Sequence, residues 1–557
     1  MEGRLAALEE LREALAAGRF ELALDGSQEA AVGRDELLDQ IGDYLIPRLR
    51  HLDAPVLVAL GGSTGSGKST ITNTLAGEEV SPAGVLRPST RTPVLVHRSE
   101  DTAWFAGDGV LADLPRSSGD SPHRRGLHLV VDDGLPRGLA LLDAPDIDSV
   151  EIANHELAGQ LLGAADVWLF CTTAARYADA VPWQYLRRAQ ERAVAMAVVV
   201  NRIPPGARTE VVEHLRSMLE EHGLDDVDVF AIDEAVELDD GLLDDRAIAD
   251  VRSWLHTLVA DEARRHEVVL ASLDGAIGSV PARIRRVTGA LDEQLDAADR
   301  LRSSARAEYD AALAALDGEL SSGAMLRGEV LDRWREQVGT GELIDRLQTG
   351  VGRVRARVAA MVKRTPVVTD AAPEAIESNL QSMVVATADR AAVATVDAWE
   401  RLPGGSDVLV AAGRGLDRAT PDLPGRVERE FASWQNGVFE MVRDQAGNRA
   451  AVARVLTLGV NGTGVALMIA VFSSTGGLTG TEAGIAAGTA AIGQAVLTAV
   501  FGDQAVNDLV GEARRDLELR LAGELEVERA RFDRLLSVVP ARAEIDRIAL
   551  AARELAR

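Results

Sequence analysis

Gly62-Ser63-Thr64-Gly65-Ser66-Gly67-Lys68-Ser69 decides the fold. The stretch satisfies every fixed position of G-x-x-x-x-G-K-[ST]. An apolar run, Pro55–Leu60, leads into it and reads as a strand buried on both faces. Ser69–Leu75, which follows, reads as a helix. Glycines allow a backbone to curl until its N–H groups face an anion. Lys68 then stands to neutralise β- and γ-phosphates, and the Ser69 hydroxyl stands to ligate Mg²⁺. Gly62–Thr70 is thus expected to hold a nucleoside triphosphate with Mg²⁺. The competing reading, a chance glycine-rich turn, does not account for the strand before it and the helix after it.

The lysine itself is informative. The chain carries 59 basic residues, and only Lys68 and Lys363 are lysines. An ammonium on a flexible stem fits between two phosphates, where a planar guanidinium does not.

Outward from the loop, strand candidates are Pro93–His97, Leu127–Val131, Leu139–Leu142, Val167–Cys171, Ala195–Val200 and Val227–Ile232. Helix-like stretches at His155–Gly163, Trp183–Arg192, Glu210–His222 and Arg246–Val259 lie between several of them. Such alternation predicts an α/β domain over residues 53–265 with a mostly parallel sheet. A Mg²⁺ site needs a carboxylate at the end of an apolar strand. Asp132 and Asp143 both qualify. Asp132-Asp133-Gly134 looks like a hairpin turn joining the strands that end at Val131 and Leu142. The second strand of such a hairpin supplies the metal carboxylate in GTPase-type domains, which favours Asp143 and leaves Asp132 as a turn residue.

These residues resemble the dynamin superfamily, and the bacterial dynamin-like GTPases in particular. Arg87-Pro88-Ser89-Thr90-Arg91-Thr92-Pro93 before Val94-Leu95-Val96 is similar to the family's switch I, Thr-Arg-x-Pro before a strand. The resemblance implies that Thr90 closes onto Mg²⁺ and the γ-phosphate, a metal-binding and catalytic role beside Lys68. Asp143-Ala144-Pro145 resembles the Asp-x-Pro-Gly switch II. Val198-Val199-Val200-Asn201-Arg202 falls where the family reads the base, which implies that Asn201 contacts the base edge and the Arg202 stem stacks on it. The family's properties imply GTP-dependent head-to-head dimerisation and a stalk that moves a membrane. Three departures stand out: Asp146 replaces the switch II glycine, Asn201-Arg202-Ile203-Pro204 replaces Asn-Lys-x-Asp, and Thr64-Gly65 stands where Gln-Ser is frequent. The second removes the carboxylate that reads guanine, so ATP is not excluded. The third removes the family's internal stimulation of hydrolysis, so slow or partner-stimulated turnover is expected.

Beyond residue 265 the strand signals stop. Ile284, Val287, Leu291, Leu295, Ala298, Leu301, Ala305, Tyr309, Leu313, Leu316 and Leu320 step by three or four. They form one stripe on a helix of about 37 residues, or about 55 Å. Leu509, Ala513, Leu517, Leu521, Leu525, Phe532 and Leu536 form another. Glu329–Met361 and Ile376–Arg401 are helical in pattern too. Residues 266–557 are therefore expected to be an elongated all-α bundle or stalk. Residues 1–52, with Asp35–Leu52 the clearest helix, are expected to pack with it.

Within that region Val455–Thr481 and Ala483–Gly502 contain no charged residue, at 27 and 20 residues. Each half is long enough for a ~30 Å hydrocarbon core, and Ser473–Gly477 supplies a turn between them. One reading is membrane contact through 455–502. The other is a close-packed helical hairpin.

Composition narrows the function classes. The formal charge of −28 argues against nucleic acid as a partner. One cysteine, Cys171, excludes an intrachain disulfide and suits a reducing cytosol. Met1–Ala17 has no apolar core of the signal-peptide kind. A cytoplasmic protein at the inner face of the cell membrane is the resulting expectation. The histidines show no metal spacing, and Cys171 reads as an inert core thiol. Arg124-Arg125 and Arg285-Arg286 read as solvated faces; Trp334, Trp399 and Trp434 read as packing anchors. Other classes remain open: a soluble P-loop NTPase whose helical arm binds proteins, and a nucleotide-binding scaffold without turnover. A transport-ATPase subunit lacks its Leu-Ser-Gly-Gly signature.

Overall fold

The structure is a computed structural model, and it describes residues 2–82, 92–107, 109–112, 114–118, 126–147, 152–191, 194–234, 241–321, 371–445, 467–468, 470–472, 497 and 501–556. The chain divides into two compact units: residues 1–20, 25–295 and 540–557, and residues 21–24 and 296–539.

The first unit is built on an eight-stranded, mostly parallel sheet. Its strands are β1 (Val56–Gly62), β2 (Val94–His97), β3 (Arg116–Ser118), β4 (Leu127–Val131), β5 (Leu139–Asp143), β6 (Val167–Thr173), β7 (Ala195–Ile203) and β8 (Asp228–Asp233), in spatial order β3-β4-β2-β5-β1-β6-β7-β8. Central β1 pairs in parallel with β5 on one side and β6 on the other. Period-two alternation sends Leu57, Ala59, Leu142, Trp168, Phe170 and Val198 to one face. Val58, Leu60, Leu141, Leu169, Cys171 and Val199 go to the other, with Ile71 and Ile248 packed on them. Both faces are covered, which is why these strands read as unbroken apolar runs.

Leu127–Val131 and Leu139–Asp143 do not form the expected hairpin. β2 lies between them, parallel to β4 and antiparallel to β5. The turn itself is present, with the Gly134 N–H donating to Asp132 Oδ1 at 2.8 Å. Residues 132–138 then carry the chain across two strand spacings, about 10 Å. A turn signal shows where the chain reverses, not which strand it returns to. Sequence pattern also misses β3. It is three residues long, and its Arg116 guanidinium is spent on the carbonyls of Phe105, Val110, Leu111 and Leu114.

The N-terminal helices share a compact unit with the sheet and with residues 266–295 and 540–557 of the expected helical region. Leu8, Leu11 and Leu15 of the Glu2–Ala17 helix pack with Ile545 and Ile548 and with Leu273–Leu291. A fully buried ion pair ties the segment to the sheet. Arg48 pairs with Asp166, the residue before β6, and donates to the Pro55 carbonyl at 2.8 Å. The Tyr44 hydroxyl (3.1 Å), the Leu57 N–H (2.8 Å) and Arg48 Nε (2.9 Å) also donate to the Asp166 carboxylate. The apolar face of residues 1–52 is thus covered by helical segments from within 266–557, as expected, and the ion pair adds a tie to the sheet.

The second unit is helical. The helix Glu262–Ser321 contributes its residues from Asp296 onward, joined by Ala371–Trp399, Gly405–Ala412, Leu423–Gln445 and Asp503–Leu535. Trp399 and Trp434 are fully buried; their indole N–H groups donate to the carbonyls of Leu301 (3.0 Å) and Ala513 (2.7 Å). Glu329–Met361, Trp334, Lys363 and most of 455–502 lie outside the described residues. Within 455–502, Leu467, Met468, Val471, Phe472 and Leu497 are buried in this unit's core. The Phe472 ring stands 5.9 Å from that of Trp434. Among the described residues no helix is long and apolar enough to cross a membrane.

Candidate nucleotide site

The glycine loop joins β1 to the helix Lys68–Ala76. Two of its glycines are required by space as well as by backbone angle. Gly62 has φ 151°, and a Cβ there would lie 2.0 Å from the Cys171 carbonyl oxygen. Gly67 has φ 90°, and a Cβ there would lie 2.4 Å from the Asn201 amide nitrogen. The loop is thus pressed against β6 and β7, and only glycine fits.

Lys68 is 4% exposed. Its ammonium donates to the carbonyls of Gly62 (2.9 Å) and Ser63 (3.2 Å) and to Asp146 Oδ1 (2.6 Å). The Ser69 hydroxyl donates to Asp143 Oδ2 at 2.7 Å, and Ser81 Oγ donates to the same oxygen at 2.6 Å. Asp143 Oδ1 is buried and makes no hydrogen bond among the described residues, nor do the buried hydroxyls of Ser63 and Ser66. Burial pushes the Asp143 carboxyl above its ordinary range, against the hydrogen bond from Ser81 and the charge of Lys68. A buried carboxylate with a spare oxygen beside a serine hydroxyl is a hard-oxygen donor set. It fits Mg²⁺, which takes one or two protein oxygens and keeps waters and phosphate for the rest.

Among the expected site residues, the structure brings Lys68, Ser69, Asp143 and Asn201 together around the loop. Asp132 follows β4, which is separated from β1 by β2 and β5. Thr90 lies outside the described residues. The Thr64 carbonyl accepts from Arg176 Nη1 (3.3 Å), and that of Thr70 accepts from Thr74 Oγ1 (2.7 Å). The Asn201 amide donates to the Ser66 carbonyl at 3.1 Å and accepts from the Arg202 N–H at 2.8 Å. Arg202 is exposed and adopts a left-handed backbone, φ 56°.

Sequence reading missed three residues here. Ser81 reaches Asp143 because the Asn73 side chain clamps it, accepting from the Ser81 N–H (2.8 Å) and donating to the Ser81 carbonyl (2.8 Å). The signal was a polar Asn on the buried side of the helix after the loop. Arg176, beyond β6, carried no signal at all.

No protein-family model and no curated protein sequence matches the chain. Solved structures do. A chain of an oligomerised bacterial dynamin pair, described as sensing and tethering membranes, matches over 96% of this chain and 96% of its own, at 11% identity and TM-score 0.40. LeoA, a bacterial dynamin GTPase from ETEC, matches over 97% and 98%, at 12% identity and TM-score 0.26. Era from Aquifex aeolicus, bound to GDP and AlF₄⁻, matches over 36% of this chain at 20% identity and TM-score 0.25. That match spans 57% of Era's own length. At this depth of similarity the chemistry rests on the residues of the site itself.

Proposed function

We propose that the chain is a Mg²⁺-dependent nucleoside triphosphatase of the dynamin-like GTPase type. One observation carries the reading: the Ser69 hydroxyl lies 2.7 Å from a buried Asp143 carboxylate, next to the sole lysine of the glycine loop. Backbone amides of residues 63–69 would hold the α- and β-phosphates. Lys68 would hold the β- and γ-phosphates, and Ser69 and Asp143 would hold the metal directly or through water. The metal would supply charge stabilisation as the bond between the γ-phosphorus and the β–γ bridging oxygen breaks. Water attacks the γ-phosphorus, and nucleoside diphosphate and phosphate leave. Thr90 would close on the metal and γ-phosphate, as the switch I resemblance implies. Asn201, pinned to the loop at Ser66, would stand at the base edge with the Arg202 stem beside it, as the family resemblance implies. Pro204 stands where a guanine-reading carboxylate would be, so GTP is favoured over ATP by family resemblance alone.

Fluorescent-nucleotide titration with GTP and ATP analogues, with and without Mg²⁺, followed by steady-state phosphate release, tests the reading. Micromolar, Mg²⁺-dependent binding supports it; no affinity for either nucleotide defeats it. Nucleotide-dependent dimerisation and action on the inner face of a membrane belong to the same proposal. The burial of Leu467, Met468 and Phe472 in the helical core favours a second reading of 455–502, as protein-packed rather than lipid-facing. Liposome flotation with GTP, with ATP and without nucleotide separates the two: flotation lost on deleting 455–502 supports lipid contact.

A further inference from the structure

A lysine ammonium has three N–H donors. Those of Lys68 are directed at the Gly62 carbonyl, the Ser63 carbonyl and the Asp146 carboxylate. Two of these acceptors are neutral backbone. The third is an anion at 2.6 Å, and its side chain is only 11% exposed. Asp146 is also not loosely hung. The Ala144 N–H donates to the Leu60 carbonyl at 3.2 Å and the Ile147 N–H to the Gly62 carbonyl at 3.3 Å. Both residues beside the Pro145-Asp146 pair are therefore stitched to β1 and the root of the loop. The carboxylate is the charged partner of the Lys68 ammonium.

We propose that Asp146 is a built-in anion that competes with the terminal phosphate for Lys68, and so sets the site's discrimination between tri- and diphosphate. The inference rests on the nucleotide reading of the glycine loop. A γ-phosphate seeking the ammonium must displace the carboxylate and then share the vicinity with it. Like charges a few ångströms apart in a poorly solvated site repel strongly. A diphosphate lacks that third group and leaves the Lys68–Asp146 contact compatible with binding. The carboxylate thus lowers triphosphate affinity selectively and favours the diphosphate-bound state.

The test compares the wild type, Asp146→Asn and Asp146→Glu in the full chain, by calorimetric titration with Mg²⁺–GTP, Mg²⁺–GDP and a non-hydrolysable GTP analogue. Asp146→Asn keeps the shape and removes the charge. It should tighten the triphosphate and its analogue by about tenfold or more, and the diphosphate by less than about threefold. Asp146→Glu keeps the charge and should stay near the wild type. A melting scan of each variant confirms that it is folded. Equal tri- and diphosphate gains, no gain, or weakened triphosphate binding in the Asn variant would overturn the proposal while leaving the nucleotide site standing. No binding of any nucleotide by any of the three folded proteins would overturn both.

Discussion

The Asn201 amide reaches 3.1 Å across to the Ser66 carbonyl, so the end of β7 and the floor of the glycine loop are held as one piece. Gly67 makes that approach possible, since any Cβ there would collide with the same amide. Asn201→Ala strips the buried Ser66 carbonyl of its partner, at a cost of about 1–3 kcal/mol. The expected result is faster nucleotide release with only modest loss of thermal stability. Stopped-flow chase of a fluorescent nucleotide measures it, and an unchanged off-rate would remove Asn201 from the site.

Lys68→Ala is expected to lower nucleotide affinity by about a hundredfold or more, since it deletes a charge-assisted contact worth roughly 3 kcal/mol. Circular dichroism should show the helices intact. Ser69→Ala should instead weaken binding in Mg²⁺ while leaving binding in EDTA unchanged.

The core of this site was readable in the sequence because its geometry is local. Gly62–Ser69 is a continuous stretch, and Asp143 ends an apolar strand. What failed to show were choices made by partners far along the chain. Nothing near Leu127 or Leu139 shows that β2 will slip between their strands. Likewise Leu8, Leu11 and Leu15 advertise a face to cover without naming Ile545 and Ile548 as its cover. Ser81 gains its role only through Asn73, a side chain on the preceding helix whose buried position the pattern could not rank.

Cys171 is buried, and burial pushes its thiol up to about 12. The native protein should resist iodoacetamide at pH 8 and react only once unfolded, which mass spectrometry with and without urea will show. The sign of the linked stability follows. The folded pKa lies above the unfolded one, so the contribution is fully present below the ordinary thiol range. It is lost as the pH rises from there toward about 12.

Arg48→Ala should destabilise the sheet unit by about 3–5 kcal/mol, because it leaves the buried Asp166 carboxylate without its counter-charge. Urea denaturation measures the loss. The double variant Arg48→Met with Asp166→Leu should recover much of it.

Phe472→Ala should cost the helical unit about 3–5 kcal/mol if the ring is a core residue against Trp434. Tryptophan fluorescence during denaturation reports it. A variant as stable as the parent would argue that the ring's place is elsewhere.

The Arg48–Asp166 pair also bears on how the sheet unit can be dissected. A fragment cut to start at Pro55 would keep every strand and the entire phosphate loop, yet strand Asp166 as a lone interior anion. The helix Arg542–Leu555, hundreds of residues away in the chain, would lose its bed of Leu8 and Leu11 as well. Anyone trimming the protein to the unit that holds the phosphate loop must therefore keep residues 1–54 and 540–557 with it.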